Sequence, residues 1–193
     1  VGRPVDDPLL LNATGGDGAD IGAFEVQVVA APTVTDIKIG DGSAQRSTVR
    51  SITVTFSTIV TLGSGAPEQA FSLVRTGPGS PMTTVSLVAD LSGSTPTQTV
   101  CKLTFTGALT EGLGCLIDGR YELTVVAAQV VAGGSQAMAA DNVSNTHRFF
   151  GDADGDASIT AADFIQFRLA FGGTSATFDF DGDGAVAAND FIQ

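Results

Sequence analysis

Ser51-Ile-Thr-Val-Thr-Phe-Ser57 sets an apolar side chain at every second position, Ile52, Val54 and Phe56, with threonines between them. Successive side chains of a strand point to opposite faces, so this period of two places one face in a core and the other toward solvent. Arg120-Tyr-Glu-Leu-Thr-Val125 repeats the rhythm, with Tyr121, Leu123 and Val125 inward and Glu122 outward. Further runs between Pro32 and His147 are separated by turn clusters such as Gly63-Ser-Gly-Ala-Pro67 and Gly77-Pro-Gly-Ser-Pro81. The pattern predicts strands over 34–39, 49–56, 70–75, 85–89, 99–105 and 120–127, with shorter ones at 136–139 and 146–149. Short strands at this spacing, with Gly- and Pro-rich turns, predict a mainly β fold built as a β-sandwich.

Composition agrees with that reading. Of 193 residues, 43% are hydrophobic and only 16% charged, enough apolar surface to fill a core. Acidic residues outnumber basic ones 21 to 9, for a net charge of -12. Nucleic acid is therefore excluded as a default partner, because its binders use Lys and Arg to replace counterions around phosphate. No apolar run reaches the roughly 18 residues that span a bilayer, so membrane insertion is not expected. The chain starts at Val1, which reads as a mature fragment of a longer protein, and its composition is that of a secreted or cell-surface module.

The acid is concentrated at one end. Residues 151–193 hold 8 Asp, no Glu and a single base, Arg168, a net of -7. Within them Asp152-Ala-Asp-Gly-Asp-Ala-Ser-Ile-Thr-Ala-Ala-Asp-Phe-Ile-Gln166 aligns without gaps on Asp179-Phe-Asp-Gly-Asp-Gly-Ala-Val-Ala-Ala-Asn-Asp-Phe-Ile-Gln193, with 9 identities in 15. Each copy fits the 12-residue EF-hand calcium loop with Asp for Glu at its last position. Ca²⁺ takes about six to eight hard oxygens, and a loop that wraps it supplies them from alternate positions. In the first loop the ligands expected are Asp152, Asp154, Asp156, the carbonyl of Ser158, and Asp163; in the second they are Asp179, Asp181, Asp183, the carbonyl of Ala185, and Asp190. The cofactor expected is thus calcium, two ions. Ile159 and Val186, at position 8, are expected to pair the two loops and anchor them in a core. Position 6 is Gly184 in one loop and Ala157 in the other, and a left-handed backbone there costs an alanine about 1 kcal/mol. At position 9 Thr160 offers a hydroxyl for a ligating water and Ala187 does not.

A helix is expected from Ala161 to about Phe171, with Phe164, Phe167 and Phe171 on one side, and a second from near Ala188. A loop followed by a helix, twice, resembles the type I dockerin repeat over residues 150–193. The resemblance implies a small α-helical module with two EF-hand-type calcium loops and, in some relatives, docking onto a cohesin. The recognition pair at loop positions 10 and 11 is Ala161-Ala162 and Ala188-Asn189, which departs from the Ser/Thr pairs of cohesin binders. Ser51 to Ser57, Cys101-Lys-Leu-Thr-Phe-Thr106 and Leu116-Ile-Asp-Gly-Arg-Tyr-Glu-Leu-Thr-Val125 are similar to bacterial Ig-like domains, with Tyr121 in the place of a tyrosine corner. Asp17-Gly-Ala-Asp-Ile-Gly-Ala-Phe-Glu25 resembles the last coil of a secreted parallel β-helix. The expected organisation is a lead-in at 1–30, an Ig-like β-sandwich at 31–149 and a dockerin-like module at 150–193.

Two readings stand for Cys101 and Cys115: a disulfide in an oxidising compartment, or two buried thiols. Enzymatic chemistry is not expected. His147 is the only histidine, and there is no Ser-His-Asp order, no C-x-x-C, no phosphate loop and no G-x-G-x-x-G after a strand to accompany it. The favoured expectation is a non-catalytic calcium-binding structural or attachment region of a secreted or cell-surface protein. The alternatives are a dockerin that binds a cohesin-like partner to recruit an upstream enzyme, and a subunit that self-associates into an extracellular fibre.

Overall fold

The computed structural model describes residues 30–77 and 82–191. The β-helix-like string at Asp17 to Glu25 lies outside them. The described chain is mainly β and antiparallel. Its strands are β1 (Val34–Ile39), β2 (Ile52–Phe56), β3 (Val60–Leu62), β4 (Phe71–Thr76), β5 (Thr83–Thr84), β6 (Ser86–Asp90), β7 (Val100–Thr106), β8 (Thr110–Glu111), β9 (Cys115–Leu116), β10 (Gly119–Val125), β11 (Val130–Ala132), β12 (Gln136–Ala137) and β13 (Asn142–Arg148). Two helices follow, α1 (Ala161–Ala170) and α2 (Ala188–Phe191).

One sheet has the order β1-β2-β7-β6 and a second β13-β10-β4-β5, with a small sheet β12-β11-β3 beside them. The alternation in Ile52–Phe56 sets the register of the first. Ile52 faces Leu103 and Val54 faces Cys101 across β7, and all four are fully buried. In the second, Leu123 pairs with Leu73 of β4 and Tyr121 with Arg75. Tyr121, Leu123 and Val125 join Ile52, Val54 and Phe56 in one core shared by both sheets. Each such side chain stabilises the fold by about 1.5–3 kcal/mol through burial. The Tyr121 hydroxyl donates to the Ile117 carbonyl at 2.7 Å, satisfying its one polar atom. Burial pushes that hydroxyl's pKa up to about 12.

The strand predicted over 49–56 begins at Ile52. Val49 is buried, but its amide donates to the Cys115 sulfur at 3.2 Å and its carbonyl accepts from Leu116. Residues 41–51 thereby form an ordered loop at one end of the β body. At the other extreme, the last strand runs Asn142–Arg148 and pairs along all of β10. It is a polar edge strand with no apolar alternation to reveal it.

Cys101 and Cys115 are both free and both buried, so the disulfide reading is not realised. Cys101 sits opposite Val54, whereas Cys115 is bonded to Val49. Burial pushes the Cys101 thiol up to about 12 and raises that of Cys115 as well.

Candidate metal centre

The chain leaves β13 at Arg148 and turns directly into the first acidic loop, which closes at the N-terminus of α1. Asp152 is completely buried and Asp163 almost so, while Asp154 and Asp156 are exposed. In the second loop Asp179 and Asp190 are buried, and Asp181 and Asp183 exposed. Asp152, Asp154 and Asp156 each place a carboxylate oxygen within 4.8 Å of the others, and so do Asp179, Asp181 and Asp183.

Both loops are folded by the same hydrogen bonds. The position-1 carboxylate accepts from the amides of positions 4 and 6: Asp152 from Gly155 at 2.7 Å and Ala157 at 3.1 Å, Asp179 from Gly182 at 2.7 Å and Gly184 at 3.1 Å. Asp154 and Asp181 accept from the amides two residues on, both at 3.2 Å. Asp156 accepts from Ser158 and Asp183 from Ala185, the residues expected to supply position-7 carbonyls. Asp163 closes the first loop by accepting from the Ala153 and Thr160 amides, and Asp190 closes the second through Phe180 and Ala187. The position-12 carboxylates thus hold the two ends of each loop together, outside the three-oxygen clusters.

Three carboxylates within 4.8 Å repel one another, by about 1 kcal/mol per pair even in water. Among the described residues no Lys or Arg forms an ion pair with any of the tail aspartates. The donor set is entirely hard oxygen, so the residues present fit a hard cation and offer little to a thiolate- or imidazole-seeking one. Two acidic clusters that could hold metal ions are therefore present. Burial alone would raise the pKa of Asp163 and Asp190, but the amides each accepts outweigh it and hold both below the ordinary 3.8.

Position 6 of the loops follows expectation and position 8 does not. Ala157 adopts φ 69° and Gly184 φ 89°, so both position-6 residues are left-handed, as the loop requires. Ile159 and Val186 do not pair the loops. Val186 is fully buried and exchanges hydrogen bonds with Gly172 and Gly173, the turn after α1, whereas Ile159 is 61% exposed. With both backbone groups of Val186 committed to that turn, they are not paired with Ile159. Thr160 serves α1 as its N-cap, accepting from the Ala162 amide at 3.2 Å in a capping box with Asp163.

Contacts around the junction were not evident in the sequence. His147 Nε2 lies 2.7 Å from Asp152 Oδ2. Arg148, 1% exposed, donates to the Ser47 carbonyl and to Asp118, forms an ion pair with Glu111, and lies over the rings of Phe150 and Phe180. The signal available was Arg148 itself, a base immediately before two Phe residues.

The helices carry an aromatic cluster centred on Phe167, whose ring meets Phe164, Phe171, Phe178 and Phe191 at 5.3–6.5 Å between centroids. Only Phe178 is buried. Phe171 is 55% and Phe191 59% exposed, and they line a groove of about 370 Å³ with Phe164, Phe167 and Arg168. No protein-family model, no curated protein and no solved structure matches this chain.

Proposed function

We propose that residues 150–193 are a dockerin-like calcium module and residues 31–149 an Ig-like domain, together forming a non-catalytic structural or attachment region of a secreted or cell-surface protein. The observation that carries this reading is the matched pair of loops: equal ligand spacing, equal hydrogen bonds and an all-oxygen donor set in each. One ion per loop would be held by Asp152, Asp154, Asp156, the Ser158 carbonyl and Asp163, and by Asp179, Asp181, Asp183, the Ala185 carbonyl and Asp190. Bound calcium supplies two positive charges at the centre of each carboxylate cluster. The chain's own residues do the rest: the amides of positions 4 and 6 orient the buried position-1 carboxylate, and the position-12 carboxylate ties the start of the loop to the helix after it. Calcium is favoured over magnesium because a 12-residue wrap supplies many protein oxygens, whereas magnesium retains waters and demands strict octahedral geometry.

A second reading has its own support. The exposed aromatic groove on α1 and α2 is an apolar surface of the kind that meets a protein partner, and in a dockerin-like module that partner would be cohesin-like, recruiting an upstream enzyme. Calorimetric titration with CaCl₂ tests the central claim. Two sites are expected for the wild-type chain and one after Asp179→Ala; a chain whose uptake is zero, and whose melting temperature is the same in EDTA, is not a calcium module.

A further inference from the structure

We infer that the β body is a template for the two acidic loops, so that closing a loop around its ion and docking it on the β body are one linked equilibrium, with Arg148 and Leu113 as positioning residues. This rests on the calcium reading of the loops. Each loop touches the β body through its position-4 glycine. A Cβ on Gly155 would overlap the Ala44 carbonyl, and one on Gly182 would overlap the side chain of Leu113. Backbone bonds add to the first contact: the Arg46 amide donates to the Asp152 carbonyl at 2.8 Å, the Phe149 amide to the Arg46 carbonyl at 3.1 Å, and the Gly151 amide to Ser47 Oγ at 2.9 Å. On the second loop Arg50 donates to the Asp179 carbonyl at 3.0 Å.

Arg148 joins the two docks. Its guanidinium is 5.6 Å from the Phe150 ring and 5.8 Å from the Phe180 ring, and those rings meet edge to face at 5.2 Å. Asp118 Oδ1 accepts from both Arg148 and the Phe150 amide. Phe180 is position 2 of the second loop, and its amide donates to Asp190, the carboxylate that closes that loop. The residue whose ring Arg148 holds therefore also holds a ligand in place. Leu113 supplies the second, independent sign. It is 61% exposed with φ 57° and ψ 30°, a conformation bulky residues rarely adopt, and it lies against Gly182. Strain at an exposed leucine has a reason if it aims the side chain over the loop. An ion that binds only the closed loop then stabilises everything packed on the closed loop, and by reciprocity the dock raises the affinity for the ion.

Leu113→Gly, which removes the contact and relaxes the backbone, is the test. In EGTA its β body should melt at or above the wild-type temperature, while in CaCl₂ the second site should weaken roughly fivefold or more. Independently, chelating the wild-type chain should speed hydrogen exchange at the Arg46, Phe149 and Gly151 amides and leave β2, β7 and β10 protected. If the wild type binds two calcium ions yet those three amides exchange at the same rate with and without chelator, and Leu113→Gly titrates like wild type, the linkage is wrong and the calcium reading stands. A wild-type chain that takes up no calcium overturns both.

Discussion

The two acidic loops have one carboxylate pattern and two different supports. The first is built into the β body: Asp152 is fully buried, bonded to His147, and its carbonyl accepts from the backbone of Arg46. Its helix starts on a capping box and runs ten residues. The second leans on the β body through side chains, Arg50 and Leu113, and lacks both a histidine partner and a capping hydroxyl, since Ala187 stands where Thr160 does. Against that, the first loop has a left-handed alanine where the second has glycine. Equal ligands therefore do not make equal sites: what surrounds each loop decides how much of its closure is already in place before an ion arrives.

The largest expected effect separates the two position-1 aspartates in chelator. Asp152→Ala leaves His147 and the half-buried amides of Gly155 and Ala157 without their acceptor, and should cost about 1–3 kcal/mol in urea unfolding. Asp179→Ala, at a site with no histidine, should cost visibly less; equal losses would erase the distinction. Next, Thr160→Ala should destabilise by about 1 kcal/mol through loss of the N-cap and lower the helical signal of α1. Ala187→Thr should recover part of that for the second loop. A smaller gain is expected from Ala157→Gly, up to about 1 kcal/mol, because glycine adopts the φ of 69° without a Cβ penalty. It should raise the calcium affinity of the first site and leave the second unchanged, read by calorimetry.

Acid should act on both loops alike. Asp163 and Asp190 bind protons more weakly folded than unfolded, so their contribution is complete above the ordinary 3.8 and is lost as pH falls below it toward their lowered values. In chelator, an unfolding transition of the loops centred well above pH 4 would contradict that sign.

The legible parts of the fold were those where period and burial coincide. Ile52–Phe56 and Gly119–Val125 alternate because one face of each lies in the core, and their inward residues are those the pattern names. Val60–Leu62 and Val130–Ala132 form the small third sheet but are three residues each, too short for a period to register. Asn142–Arg148 was under-read because an edge strand held by backbone bonds to β10 needs no apolar face. The acidic triads Asp152, Asp154, Asp156 and Asp179, Asp181, Asp183 were legible because Asp at positions 1, 3 and 5 is a pattern within five residues of chain. Their surroundings were not.

By itself the sequence determined the period-two β rhythm, the two acidic loops, their clustered carboxylates and the left-handed position 6, all of which depend on residues close together in the chain. Only the tertiary structure decided that Cys101 and Cys115 stay unbonded, that Val186 bonds the turn after α1 and not Ile159, and that Arg148 lies buried between Phe150 and Phe180. These depend on contacts between segments distant in sequence, from Ser47 to Arg148 and from Leu113 to Gly182. A carboxylate's spacing is written along the chain; whether it is buried, and against what, is settled by how the sheets bring the loops at 41–51 and 111–118 to one end of the β body.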